Sequence, residues 1–592
     1  MAEKTSQIKF SDLDIETCFK NHYIVPDYQR EYVWEETEVT QLLQDIYDEF
    51  SGNSSKEYFI GSTVVYRNSD GVFELIDGQQ RTTTLYLILA AFRKTYEGRG
   101  IATGTIDRML KDESVNSKGD TVDQFKLILQ YKDSSNILEQ IISDIDRPDD
   151  LKGSSERLFD AYEDAHLFIK QNFPEGEESE LKQFFVYFYR NVRFIQITTP
   201  EISDALKIFE TINERGVGLN PMDLLKNLLF RQIEKKDFAK LKTEWEKLIK
   251  TLEKNREKPL RFLRYFLMAN YQIKNEKGEE IIREDDIYKW ITKNEGQLKY
   301  DKKPFQFVEL LTENVNQYTQ LINGQDTWGQ NIYLNNIKRL SGAAFKQHLI
   351  LLLSARHFKK EMFRHFSKQI EILMFWYFLN NEQAKVFEKN FSSWAKLLLK
   401  VKTKDALNEF LRKQIKPEIE KRKAAVRSRF LVLTQNDLQR YRLVYLLGKM
   451  AQYIDQQRLG SYNDQSLENY ATKGVEVEHI LPDNPEANLR SQFSNYDELK
   501  VKLGNLTLLE KSINCSIGNT EFYSSKASEY AKSQFYITKS ITRIENVGGN
   551  TAINRINKKL KSFKTWDEKS IDDRQKMMLN LMNDIWKIEE LA

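Results

Sequence analysis

Between Tyr58 and Tyr96 the hydrophobic pattern changes period within one short stretch, and few folds accommodate that change. YFIGSTVVYR (Tyr58 to Arg67) is rich in β-branched and aromatic residues, the composition of a half-buried strand. Asn68-Ser69-Asp70-Gly71 signals a hairpin turn, and VFELID (Val72 to Asp77) reads as the returning strand. Beyond Gly78, the residues Leu85, Ile88, Leu89 and Phe92 follow helical spacing. The stretch predicts strand, turn, strand, a tight junction at Gly78 and a helix. Further on, VRFIQITT (Val192 to Thr199) predicts a strand ending at Pro200. ISDALKIFETINERGVGLNPMDLLKNLLF then predicts two helices around a turn from Asn213 to Leu219.

Only 24 glycines and 10 prolines punctuate 592 residues, and aromatics reach 12%, which predicts a largely helical protein with few long loops. Residues from about 100 to 190 and from about 240 to 470 read as helices, with core in runs such as ILMFWYFL (Ile372 to Leu379). From about Val475 the pattern is mixed again, and QKMMLNLMNDIWKI predicts a helix near the end. The expected fold class is α+β and predominantly helical. Its expected parts are a mixed N-terminal domain over 1–235, a helical connector over 236–395 and a helical domain over 396–592. At roughly 150 residues per domain the length allows about four, with two to four as the working range.

Lys+Arg total 89 against 87 Asp+Glu, which excludes a wholly basic nucleic-acid coat protein but leaves room for a local basic channel. Two cysteines, Cys18 and Cys515, exclude a disulfide framework and a cysteine-based zinc site. With six histidines, a metal site must use oxygen ligands and at most an imidazole. His348, His357 and His365 share no ligand spacing and read as structural or surface residues, and Cys515 as a small buried one. The polar start MAEKTSQIKFSDLD carries no secretory signal, and no apolar run is long enough to span a membrane. The chain reads as intracellular, hence cytoplasmic.

Two constellations carry chemistry. In DGQQR (Asp77 to Arg81) a strand delivers Asp77, Gly78 allows a sharp turn, and Gln79, Gln80 and Arg81 enter at a helix N-terminus. Free N–H groups and the helix dipole attract anions there, Arg81 adds a bidentate donor, and Thr82 and Thr83 supply hydroxyls. This is a phosphate cradle without a Walker loop. The bland alternative is a helix cap at Asp77 and a surface ion pair at Arg81. A second Gln-Arg pair, Gln29-Arg30, sits in the aromatic string IVPDYQREYVW (Ile24 to Trp34). These strings, with IFETINERGVGLNPMDLLKN, resemble the ParB-like N-terminal domain of GmrSD-type modification-dependent restriction enzymes over about residues 8 to 230. The resemblance implies nucleotide binding and hydrolysis coupled to DNA sensing. The residues it carries over are Gln29, Arg30, Asp77, Gly78, Gln79, Gln80 and Arg81, with Asn213 and Gly216 from INERG.

The second constellation is VEVEHILPDNPEANLRSQF followed by LGNLTLLEKSINCSIGNTEFYSSK. Glu478-His479 ends an apolar alternating run, Pro482 stops the strand, Gly504 to Glu510 predicts a second strand, and a helix is expected to start near Asn519 to Phe522. Strand, strand and helix around one hard cation suit a nuclease, with histidine as base and oxygen ligands for Mg²⁺ or Mn²⁺. The pattern resembles the HNH motif in the C-terminal domain of the same enzymes, over about residues 400 to 590, on a ββα-metal fold. By that resemblance His479 is the general base and Asn505 orients the base or its loop. Glu478 and Asn514 are metal ligands, Asn519 is an alternative ligand, and Lys526 is a phosphate contact. No CxxC zinc knuckle is present, so hydrophobic packing must hold the site.

Just before it, LRKQIKPEIEKRKAAVRSRF (Leu411 to Phe430) sets eight Lys/Arg against two Glu, either a solvated helix face or a track for DNA phosphates. The resemblance implies an NTP-dependent endonuclease acting on double-stranded, modified DNA in bacterial defence against phage. GTP, UTP, CTP and ATP are all candidate nucleotides, and a homodimer is one option for its assembly. A nucleotide-gated, ParB-like DNA-binding switch with a weak or inactive nuclease domain is the alternative, and an RNA-directed nuclease or toxin a third.

Overall fold

The computed structural model describes residues 7–68, 71–115, 120–131, 136–213, 221–274, 281–460, 466–517, 526–548 and 551–591. The chain divides into two compact units, Met1–Trp245 with Lys299–Gln306, and Glu246–Leu298 with Phe307–Ala592.

The first unit is built on a mixed six-stranded sheet. Its strands are β1 (Lys9–Asp14), β2 (Tyr23–Val25), β3 (Tyr58–Arg67), β4 (Phe73–Asp77), β7 (Leu127–Leu129) and β8 (Val192–Thr199), in the order β1-β8-β3-β4-β2-β7; β5 (Lys111–Val115) and β6 (Thr121–Phe125) form a separate hairpin. β3 and β4 pair antiparallel, as the hairpin signal predicts, whereas β3 runs parallel to β8 and β2 parallel to β4 and β7. Around the sheet lie α1 (Glu36–Asn53), α2 (Gln79–Gly98), α3 (Ser154–Asn172), α4 (Ile202–Asn213) and α5 (Pro221–Arg231). Leu85 through Phe92 are all buried, so this part of α2 is a central helix with no solvent stripe, as its unbroken apolar run requires, and only the last turns, from Lys94, reach solvent.

The expectation of helices throughout residues 100 to 190 fails over 111–129, where β5, β6 and β7 lie. KDESV and TVDQF lack apolar alternation; cross-strand charge such as Lys111 Nζ to Asp123 Oδ2 at 2.6 Å supports the hairpin instead. β1 and β2 were likewise not foreseen. The turn from Asn213 to Leu219 lies largely outside the described residues.

The second unit is mostly helical, as the sequence predicts. Within α6 (Lys360–Leu379) Phe375 stacks on Trp586 with ring centroids 3.8 Å apart, which makes the aromatic run core. The elements that matter for function are α7 (Lys416–Leu431), the antiparallel pair β9 (Val475–His479) and β10 (Leu506–Glu510), α8 (Lys511–Ile517) and α9 (Glu568–Ile585). Helix α8 follows β10 directly; the helix start expected near Asn519 to Phe522 lies outside the described residues. No described helix is long and apolar enough to cross a membrane.

Candidate functional site

Gln29 and Arg30 from one string and all five residues of DGQQR line a single cavity of about 180 Å³ in the first unit. Gln80 joins the strings: its Oε1 accepts from Val33 N at 2.8 Å, and its Nε2 donates to Glu31 O at 3.0 Å. Gln80 therefore pins the aromatic loop to the start of α2, and its amide is engaged on both ends. Gly78, the residue before α2, has φ +83°, and a Cβ there would lie 2.6 Å from Thr63 Cγ2. Both the left-handed turn and the close approach demand glycine. Gly78→Ala is expected to destabilise the first unit by about 1–3 kcal/mol, read as a lowered Tm; a Tm equal to wild type would show that the junction relaxes freely.

Arg81 reaches back across a bulge in β3. Gly61, at φ +107°, leaves the room, since a Cβ would meet Arg81 Nη1 at 2.9 Å, and Nη1 donates to Ser62 O at 3.2 Å. Burial lowers the guanidinium's pKa, and Asp77 opposes the shift. Burial also pushes the Asp77 carboxyl up, against the Gly78 N–H that it accepts at 2.8 Å and the Arg81 charge. Gln29 is 5% exposed, and its Nε2 has no hydrogen-bond partner among the described residues. A buried amide left unsatisfied beside a cavity is a vacant donor for an anionic ligand. Arg30, Arg81 and Lys226 outnumber Asp77 and Asp223 on the walls, so the lining carries an excess of one positive charge. These residues suit phosphate oxygens, although about 180 Å³ falls below the roughly 300 Å³ at which drug-sized pockets begin. The described walls thus fit the phosphate end of a nucleotide.

Thr82 and Thr83 are buried and do not line the cavity, contrary to their expected role. Asn213 closes α4, and Gly216 lies outside the described residues. The sequence reading missed Trp34, Phe209, Asp223, Lys226 and Asn227. The last three follow i, i+3, i+4 spacing, which places them on one face of α5 and was a usable signal.

In the second unit His479 ends β9 opposite Leu506, and its Nε2 lies 3.0 Å from Gln435 Oε1. Burial lowers the imidazole pKa, with Asp483 and Glu478 opposing and Lys526 and Arg440 assisting. Asn505 is fully buried and clamps the chain leaving β9. Its Oδ1 accepts from Leu481 N at 2.7 Å and Trp566 Nε1 at 2.9 Å, while Nδ2 donates to Leu481 O and Lys500 O, both at 2.9 Å. Of the two roles expected of it, the bonds support orienting the loop. Ile480, Leu481, Leu509, Tyr530 and Trp566 belong to the apolar cluster beneath, consistent with a site held by packing.

Glu478 points the opposite way. Its Oε1 accepts from Lys526 Nζ at 2.7 Å and Tyr530 OH at 2.8 Å. Lys526 has no exposed surface and also donates to the carbonyls of His479 and Ile480 at 2.8 and 3.2 Å. Its three donors are thus used, which removes it as a phosphate contact. Asn514, on α8, donates to Glu476 Oε2 at 2.8 Å. Asn514 keeps its Oδ1 clear of that bond, but the Lys526 ammonium on Glu478 neutralises the carboxylate and would repel a cation there, so the arrangement does not fit a bound metal as it stands. Asn519 lies outside the described residues, and among those described no three His, Cys, Asp or Glu gather around a common point. The three histidines of the helical middle are structural: His357 and His365 bond the carbonyls of Val401 and Glu589, and burial brings His348 down to about 3. Cys515, expected buried, is exposed.

Breaking the Glu478–Lys526 pair should be costly, because a charge would be left buried without its partner. Glu478→Gln is expected to destabilise the second unit by about 3–5 kcal/mol, whereas Glu478→Gln with Lys526→Met should recover much of the loss. Chemical denaturation measures both, and equal stability of the single variant and wild type would show that the pair is not buried in solution.

Two family models match the chain. The GmrSD restriction endonuclease N-terminal domain matches residues 12–230, and the GmrSD restriction endonucleases C-terminal domain matches residues 420–581. No curated protein matches the chain. With the cradle inside the first match and the His479 strand pair inside the second, the chain belongs to the GmrSD restriction endonuclease family.

Proposed function

We propose that this chain is an NTP-dependent DNA endonuclease that senses modified DNA and restricts modified phage genomes. The observation that carries the nucleotide half is the convergence of Gln29, Arg30 and Asp77 to Arg81 on one cavity with a net positive lining and an amide unsatisfied among the described residues. For the nuclease half, His479 serves as general base: it is held at a strand end, kept neutral by burial, and followed by a loop that Asn505 fixes. Gln435 orients the ring through Nε2. A divalent ion, Mg²⁺ or Mn²⁺, belongs to the proposal as the charge that would stabilise the scissile phosphate, and Glu478 would first have to exchange Lys526 for it.

That exchange also favours a second reading. With Glu478 already neutralised by Lys526, the chain could act as a nucleotide-gated DNA-binding switch whose nuclease portion is weak or inactive. Plasmid cleavage separates the two, with and without each NTP and with Mg²⁺, Mn²⁺ or chelator. Plain, glucosylated, hydroxymethylated and phosphorothioated DNA form the substrate panel. Cleavage that needs both NTP and metal, and that favours one modified substrate, is the expected result. Nucleotide-dependent DNA binding without any cleavage would establish the switch instead.

A further inference from the structure

The basic segment before the strand pair is fixed to the site rather than free of it. Helix α7 runs directly into Thr434 and Gln435, and Gln435 holds His479. Leu503 N bonds Leu433 O at 2.9 Å, and the Gln575 amide donates to the carbonyls of Phe430 and Leu433 at 2.8 and 3.1 Å. The same Gln575 accepts from Gly504 N, next to the Asn505 clamp. The end of α7 and the loop beside His479 thus share one buried connection.

The charges on α7 leave a surplus of cations. Both of its carboxylates are spoken for: Glu418 pairs with the buried Arg422 and bonds Tyr377 OH, while Glu420 pairs with Lys423. Lys416, Lys421 and Arg427 are exposed, and no described carboxylate pairs with them or with Arg429. Eleven residues separate Lys416 from Arg427, three helical turns within about 20°, with Lys423 on the same line. At 1.5 Å per residue that line is about 16 Å long, with steps of roughly 10 and 6 Å. A chain balanced at 89 cations to 87 anions has concentrated an excess of cations on one ridge of the helix that leads to Gln435 and the proposed base.

We propose that the Lys416, Lys423 and Arg427 ridge of α7 docks the phosphate backbone of duplex DNA and carries it toward His479. The assignment rests on the reading of His479 as the nuclease base. The occupant follows from charge: a line of three cations, offset only by Glu420, complements a polyanion whose phosphates recur about every 3.4 Å along each strand, densely enough to meet all three, and it reads backbone rather than base sequence.

The test uses the full chain silenced by His479→Ala, with and without Lys416→Glu, Lys423→Glu and Arg427→Glu together. Anisotropy of labelled duplex DNA is followed from about 50 to 200 mM salt. Each phosphate contact contributes about 0.9 to the slope of log K against log salt, so the triple variant should lose about 2 to 3 from that slope. The triple glutamine variant should lose a similar amount, and Arg427→Lys should lose none. Tm confirms that each variant is folded. An unchanged slope in both folded triple variants overturns the ridge, as does a slope change confined to duplex RNA. Cleavage by the otherwise wild-type chain is scored separately: its absence, with the slope change present, overturns the nuclease reading and leaves a DNA-docking ridge.

Discussion

His479→Ala should lower DNA cleavage by about 10²–10⁴-fold while NTP hydrolysis stays at the wild-type rate. The expected size follows from losing proton transfer at the attacking water. The expected selectivity follows from the placement of the cradle and of His479 in different units of the chain. Gln435 Oε1 can only accept, so the ring donates from Nε2 and keeps its lone pair on Nδ1, the atom that takes the proton. Because burial lowers the imidazole pKa, the ring is neutral and competent at pH 7. The acid limb of the cleavage profile should therefore fall below the ordinary value of about 6.5. Gln435→Glu puts a negative charge against Nε2–H, favours the imidazolium and should move that limb to higher pH. Single-turnover cleavage across pH checks both expectations. A His479→Ala variant that cuts within tenfold of wild type would remove His479 as the base, and an unmoved acid limb in Gln435→Glu would remove Gln435 as its orienter.

What could be read from the sequence was local. Strand β3, the turn at Asn68, β4, Gly78 and α2 each follow from residues within a few positions of one another, and their bounds agree with the reading to within about a residue. The hairpin of β5 and β6 escaped because cross-strand charge pairs stabilise it, not alternation. The cradle was half legible. Its floor is contiguous in DGQQR, but its far wall comes from Phe209 on α4 and from Asp223, Lys226 and Asn227 on α5. Those residues stood inside the string that carried the family resemblance, yet only the fold shows that they face Asp77. At the C-terminal site, strand alternation predicts that Glu478 and His479 diverge, and they do. What could not be read was the partner of Glu478: Lys526 lies forty-eight positions away, and only burial turns that lysine from a surface contact into the counter-ion of the site.

Arg81→Ala is the variant that tests the cradle, and NTP hydrolysis should fall by about 10²-fold or more if the guanidinium stabilises phosphate charge. Arg81 is the cation most constrained on the cavity wall. A bulge and Gly61 make room for it, Ser62 O fixes one nitrogen, and burial strips it of water, which strengthens whatever anion contact it makes. Arg30 is less constrained, with Asp223 3.9 Å away and a more exposed side chain. Arg30→Ala should thus weaken nucleotide binding with a smaller effect on turnover. Arg81→Lys separates charge from geometry. A lysine keeps the positive charge but loses the planar fork, so binding should be partly retained while hydrolysis stays low. Removing Arg81 also removes the positive charge that opposes the burial of Asp77, so a neutral Asp77→Asn/Arg81→Ala pair distinguishes repulsion at Asp77 from loss of the phosphate contact. If that pair restores NTP turnover, Arg81 serves only to neutralise Asp77; if turnover remains low while Tm is normal, the guanidinium itself acts on the nucleotide.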